Sequence, residues 1–335
     1  MAWAEMTLWA RTTGIRPDQV RAALWKRRTL VKTWAMRGTL HLLPSADLPL
    51  FTAALGAALA HHEARLLDLN GISSREMLGL IEAIPVALDG RCLTREELAS
   101  EVVRVTRLFR VEARLRTGWG GLLKPAARRG YLCFGPNRGP NVTFCRPDQW
   151  LNGWREVDPE AALREIARRY LAAYGPATHL DLAAWSGMEQ RRARLLLLEL
   201  GEEVEPVDVD GLSAWALKAG PAWPARAPAG PDVRLLPGFD AYVMGSSGQL
   251  RRTLSQVGER RRVFRKAGWV SPVLLVDGRV RGVWAQQRRG SRFLLTIELF
   301  DWPGRRRAPL QERLAREADR LSAFLDAPVA LTYAA

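Results

Sequence analysis

Little in this chain equips it for the commoner catalytic chemistries. Its three cysteines, Cys92, Cys133 and Cys145, are odd in number and never spaced C-x-x-C. Neither a disulfide framework nor a thiolate zinc site is therefore expected, and a reducing cytoplasm fits. The four histidines, His41, His61, His62 and His179, form no H-E-x-x-H. There is no Walker A loop, no G-x-S-x-G elbow and no dinucleotide-binding glycine fingerprint, so no metal and no cofactor are expected. The longest apolar stretch, Leu48 to Ala60, is too short to span a bilayer, and no basic segment leads into an apolar one at the start, so no membrane partner is expected.

Lysine is also scarce. Only five of the 50 Lys+Arg residues are lysine (26, 32, 124, 218 and 266), which leaves 45 arginines against 35 acidic residues and a formal charge of +15. An arginine bias can follow from the codon usage of a GC-rich genome. It also suits a polyanionic partner, because the guanidinium binds phosphate as a planar fork and enters narrow grooves. At 335 residues and 47% hydrophobic, the chain has the apolar surface for two or three cores.

A unit of about 60 residues, helix, second helix, then a short strand or hairpin, recurs three times. In the first copy the pattern predicts a helix over Pro17 to Arg28, a second around Leu30 to Met36 and a strand from Thr39 to Leu43, with His41 and Leu43 on one strand face and Leu40 and Leu42 on the other. Further helices are expected from about 45 to 90. The middle copy opens on the capping box Thr94-Arg95-Glu96-Glu97, continues in a helix through Leu122 to Ala127, and ends in the strands 131–134 and 142–145 around a basic tip that carries Arg138. The last begins at Asp158-Pro159, stops at Gly175, and resumes with Thr178 to Trp185, the turn Gly187 and a helix from Met188 to Leu200 bearing Arg191, Arg192 and Arg194. A hairpin turning at Asp210-Gly211 completes it. Helix, helix, hairpin is the winged-helix (helix-turn-helix) order.

Ala219 to Pro231, with prolines at 221, 224, 228 and 231, reads as a linker. Beyond it the hydrophobic period becomes two, which predicts an antiparallel meander closed by a helix carrying Leu310, Leu314, Leu321 and Leu325. The expected fold class is α+β: tandem winged-helix domains over 1–90, 91–155 and 156–220, followed by a C-terminal β-barrel-like or sheet domain over 232–335.

Three segments resemble one family. Trp34-Ala35-Met36-Arg37-Gly38-Thr39-Leu40-His41, Leu236-Pro237-Gly238-Phe239-Asp240-Ala241-Tyr242, and Gly268-Trp269-Val270-Ser271-Pro272 with the following Val276 to Trp284 are similar to stretches of the AlkZ-like (YcaQ-type) winged-helix DNA glycosylases, in the same order. The resemblance implies hydrolysis of the N-glycosidic bond of N-alkylated purines in duplex DNA, in some members within interstrand crosslinks. It also implies a Gln-x-Gln or Gln-x-Asp pair shortly before the segment Trp3 to Arg11. No such pair precedes Trp3 here, so a native start upstream of Met1 is expected. The alternative is a non-catalytic winged-helix DNA-binding protein or transcriptional regulator.

Site expectations follow from these motifs. Arg37 and His41 lie in the segment nearest the implied pair and are expected to position DNA, with His41 and Asp240 as catalytic candidates. For each the residues also allow a plain structural role: a helix-terminal cation for Arg37, a satisfied strand histidine for His41, a turn cap for Asp240. Arg138, Arg191, Arg192 and Arg194 are expected at phosphates. Gln286, Gln287, Arg288, Arg289 and Arg292 read as a hairpin tip able to wedge into a groove, or as a solvated basic hairpin. Arg260 to Arg262 and Arg305 to Arg307 are read as generic phosphate contacts or solvated faces, and Trp119, Trp185 and Trp215 as core. The expected partner is duplex DNA bound by a monomer, in the cytoplasm at the nucleoid.

Overall fold

The computed structural model describes residues 3–59, 61–116, 120–209, 211–219, 232–245, 248, 254, 256–300 and 307–334; for Ala57, His61, His62, Arg65, Arg307 and Ala308 it describes the backbone alone. The expected linker, Trp119 and Arg305 and Arg306 lie outside the described residues, as do the side chains of His61, His62 and Arg307. Two compact units divide the chain, one of residues 22–220 and one that joins 1–21 to 221–335.

In chain order the elements are α1 (Trp3–Trp9), α2 (Pro17–Trp25), β1 (Leu30–Trp34), β2 (Leu40–Pro44), α3 (Leu48–Ala58), α4 (His61–Asn70), α5 (Ser74–Ala87), β3 (Leu93–Thr94), α6 (Arg95–Thr106), α7 (Glu112–Arg116), α8 (Lys124–Arg128), β4 (Cys133–Arg138), β5 (Asn141–Cys145), α9 (Pro147–Trp150), α10 (Pro159–Tyr174), α11 (His179–Ser186), α12 (Gln190–Glu199), β6 (Val204–Val209) and β7 (Leu212–Leu217). The sheet unit follows with β8 (Val233–Leu236), α13 (Ala241–Gly245), α14 (Val257–Val263), β9 (Val273–Val276), β10 (Arg279–Arg289), β11 (Arg292–Leu299), α15 (Arg307–Leu325) and β12 (Val329–Tyr333).

The helix expected over Leu30 to Met36 is a strand. Val31 and Thr33 point inward with the two-residue period of a pleated strand, and β1 pairs antiparallel with β2 in the register Thr33 to His41. Their β-branched side chains pack well on a strand and poorly in a helix. The middle copy fits its expected plan more closely. Thr94 accepts the Glu97 amide, and the Glu97 carboxylate accepts from Thr94 N, so the capping box starts α6. The second helix shortens to a 3-10 turn at Gly121–Leu123 followed by α8, and β3, β5 and β4 form one sheet. Further on, Asp158 caps α10 through the Ala161 amide at 2.8 Å, and Gly187, at φ 88°, turns α11 into α12. These helices share one core with the first hairpin: Val31, Leu43 and Leu55 bury alongside Leu163, Tyr170 and Leu196. A second core joins Trp34 to α5, α6 and α8.

Two expectations about closure change. The three cysteines do not all stay apart: Cys92 and Cys145, with Cα atoms 4.5 Å from each other, form a disulfide, and Cys133 is free and buried, its thiol pushed up to about 12 by burial. β5 and β3 are neighbours in the sheet, which brings sequence-distant thiols into bonding range. The C-terminal meander, for its part, is no closed barrel. Its five strands run β12-β11-β10-β9-β8, antiparallel except for the parallel β11–β12 pair, and among the described residues β8 and β12 remain edges. Leu310, Leu314, Leu321 and Phe324 of α15 cover the core of this sheet together with Met6 and Trp9 of α1. The expected domain 1–90 is thereby divided, because the apolar face of α1 is buried in the sheet unit. Among the described residues no helix is long and apolar enough to cross a membrane.

Candidate nucleic-acid interface

The turn between β1 and β2 needs two left-handed residues, Arg37 (φ 56°) and Gly38 (φ 66°). It is held by Gly38 N donating to Ala35 O at 2.8 Å and Ala35 N donating to Thr39 O at 3.1 Å. The Thr39 hydroxyl and His41 Nε2 lie 2.9 Å apart, and both reach the Met36 carbonyl, at 3.1 and 3.3 Å. Removal from water, then the charge of Arg37, pushes the imidazole down to about 4, so His41 is neutral near pH 7. The Arg37 guanidinium donates to the carbonyl of Trp185 in the last turn of α11, where a cation complements the helix dipole. Burial lowers its pKa, and its Nε finds no acceptor. Opposite lies Gly187, where an L side chain is strained at φ 88° and a Cβ would stand 3.0 Å from Arg37 Cα, closer than ordinary contact.

The His41 shift has a measurable sign. The folded imidazole titrates near 4 and the unfolded one near 6.5, so below pH 6.5 the unfolded chain takes up a proton that the folded chain refuses. Stability of the 22–220 unit is expected to fall by on the order of 2 kcal/mol as pH drops through that window. Urea unfolding at pH 7 and pH 4.5 measures the change, and in His41→Gln this part of the slope disappears.

The basic residues divide into occupied and free. Arg138, at the end of β4, pairs with the Glu97 carboxylate and donates to the Cys92 carbonyl at 3.2 Å. Arg192 bridges Glu160 at 2.5 Å and Glu199 at 2.6 Å, which ties α12 to the start of α10. Arg191 and Arg194 instead share the exposed face of α12 with Leu195 and Leu198. Arg260 donates to Leu254 O and Arg262 pairs with Glu298, while Arg261 is exposed.

In the sheet unit β10 and β11 form a long hairpin whose last pair is Arg289 with Arg292, turning through Gly290 at φ 61°. Arg288 donates to Gly290 O and Arg289 to Gln287 Oε1, both at 3.2 Å. Among the described residues no carboxylate pairs with Arg288, Arg289 or Arg292. The tip thus presents three cations that no carboxylate of the described residues compensates, at the end of the β10–β11 arm, whose β11 is also paired with β12 from Phe293 onward. At its root Gln286 Nε2 lies 3.9 Å from Met6 Sδ, and Gln286 Oε1 is buried without a donor. Trp284, two residues earlier, meets Trp3 edge to face.

Asp240 is fully buried. Both its oxygens accept from Arg11, at 2.7 and 2.8 Å, and Oδ1 also accepts the Tyr242 amide at 2.8 Å at the start of α13. This is the geometry of a turn cap held by an ion pair. Sequence reasoning missed Arg11, 229 positions away, and the link from Arg37 to α11; no local signal marks either. Trp185 is buried and Trp215 partly so, as core residues.

Comparison with known proteins agrees with the motifs. The family model described as DNA glycosylase AlkZ-like matches residues 1–324. An interstrand DNA cross-link repair glycosylase of Streptomyces sahachiroi is 38% identical over 261 residues, 76% of this chain and 70% of that protein. The solved structure of Streptomyces sahachiroi DNA glycosylase AlkZ superposes with a TM-score of 0.83 at 33% identity, covering 98% of this chain and 88% of that one. Matched in sequence and in fold along nearly its whole length, this chain belongs to the AlkZ-like DNA glycosylase family.

Proposed function

We propose that this protein binds duplex DNA as a monomer through its helix-helix-hairpin units, acting as winged helices, and through the β10–β11 arm, and that it hydrolyses the N-glycosidic bond of N-alkylated purines. Interstrand crosslinks are included, since the relative of 38% identity is named for interstrand DNA cross-link repair. The observation that supports DNA binding most directly is the arm itself, whose tip holds Arg288, Arg289 and Arg292 without a counter-charge among the described residues.

Alkylation at purine N7 or N3 leaves the base cationic and a good leaving group. The protein's task is then to stabilise a sugar with oxocarbenium character and to place a water. His41 suits water placement because it stays uncharged near neutral pH, and Thr39 with the Met36 carbonyl fixes its ring. Arg37 braces the turn from behind through α11. Asp240, with its oxygens filled by Arg11 and the Tyr242 amide, supports the segment that follows β8. The carboxamide pair implied by the resemblance is assigned to no residue of the chain.

The test is release of free 7-methylguanine from methylated duplex DNA, followed by chromatography, with a chain begun upstream of Met1 assayed alongside. Release that is lost in His41→Ala supports the proposal. Salt-sensitive binding without release by either chain would leave a DNA-binding protein that does not cut glycosidic bonds.

A further inference from the structure

Two turns of the sheet unit carry a feature that neither the arm nor the glycosidic chemistry uses. Phe239 sits at φ 58°, a conformation in which a bulky side chain is a real outlier. Both of its neighbours hold it there. On one side Gly238 is tightly packed, since a Cβ there would stand 3.1 Å from Val270 O and 3.2 Å from the Trp3 ring, closer than ordinary contact. On the other, Asp240 is buried under Arg11. The result is an aromatic ring turned toward solvent, 41% exposed.

Trp269 is presented in the same way. It follows the tight turn Lys266–Gly268, in which Ala267 (φ 57°) and Gly268 (φ 74°) are both left-handed, and it is 43% exposed. Arg265 N donates to Trp269 O at 2.8 Å and closes the turn. The two rings meet edge to face, with centroids 5.0 Å apart at 79°. In that arrangement the edge-on ring keeps both of its π faces clear of its partner. Beside them Arg265 and Lys266 are exposed and have no acceptor among the described residues.

Strained backbone persists where the surroundings over-determine it, and it collects at functional sites. Here the two left-handed turns, at Phe239 and before Trp269, accompany two rings that are both about two-fifths exposed. Flat aromatic surface beside cations is what a nucleic-acid strand with unstacked bases binds, because every base has a π face and every nucleotide a phosphate. A protein partner would favour such rings too, but lysine is depleted from the centres of protein interfaces.

We propose that Phe239 and Trp269 form a stacking platform for a nucleobase lifted out of the DNA helix, with Arg265 and Lys266 on the phosphates that flank it. The proposal rests on the DNA-binding reading above and adds a site to it.

A duplex carrying 5-iodouracil opposite or beside a 7-methylguanine is bound, irradiated, and the crosslinked peptide sequenced by mass spectrometry. The crosslink is expected at Phe239 or Trp269. In Phe239→Ala/Trp269→Ala the crosslink disappears and affinity falls by about tenfold, whereas Phe239→Tyr/Trp269→Phe keeps both. Phe239→Gly, at ease at this φ, binds more weakly while its Tm stays level or rises, a combination that a merely structural ring does not give. If wild-type protein binds DNA but crosslinks elsewhere, and the alanine pair binds equally well, the platform is refuted and the DNA-binding reading stands. Absence of any DNA binding by the wild type sinks both.

Discussion

Arg11→Met is expected to lower the stability of the sheet unit by about 3 kcal/mol, seen as a fall of roughly 10 °C in its melting transition. The substitution leaves most of the side-chain volume in place and removes the charge. What remains is the Asp240 carboxylate, fully buried, with two hydrogen bonds gone and, among the described residues, the Tyr242 amide alone still donating to it. Stranding a buried anion costs its desolvation in full. Asp240→Asn is expected to cost less, because Arg11 is 40% exposed and turns to water when its partner weakens. This asymmetry separates a structural from a catalytic Asp240. A structural role predicts that Arg11→Met and Asp240→Asn change stability in that order, while turnover per folded molecule changes little in either. Circular-dichroism melting curves paired with active-site-independent concentration measurements decide the matter. A loss of base release in Asp240→Asn at unchanged Tm would return this carboxylate to the chemistry.

The second large effect is expected at the tip of the arm. Replacing Arg288, Arg289 and Arg292 together with alanine removes three cations that no carboxylate of the described residues compensates. If each neutralises one phosphate, the slope of log affinity against log salt becomes shallower by about 2.7, at roughly 0.9 per phosphate on duplex DNA. Because each such contact contributes in proportion to the distance below 1 M salt, affinity at 0.1 M falls by a few hundredfold. Stability is expected to hold, since these side chains are exposed and the strand pairing from Gly282 to Arg288 is made by backbone. Fluorescence anisotropy across a salt series gives both numbers, and an unchanged slope removes the arm from the interface.

Much of this arrangement was legible because short-range chemistry marks it. Thr94 with Glu97, Asp158 before Pro159, and Gly187 between two helices announce helix ends by hydrogen-bonding capacity or backbone freedom, and each is realised. The arm was equally visible, as alternating residues running into Arg289-Gly290. The first hairpin was not. Leu30 to Met36 is too short for its period to decide, and its turn places a left-handed conformation on Arg37, a residue that advertises no turn. Whether the last strands close into a barrel or stay an open sheet was not legible, because closure depends on whether the first and last strands meet, which no local pattern records. The burial of Asp240 was hidden for the same reason, its partner being 229 residues away.

That separation also sets an order in time. The sheet unit takes α1 from one end of the chain and its strands from the other, with about 200 residues between them. At a synthesis rate of roughly 5–20 residues per second, α1 waits on the order of 10–40 s before β8 is made. The intervening unit is continuous in sequence and is free to complete itself in that interval. Met6 and Trp9 meanwhile remain uncovered apolar surface, and the last helix, α15, is needed before their core is whole. In the cell this protein is therefore most exposed to chaperones, and to aggregation through α1, before the segment from β8 to α15 has left the ribosome.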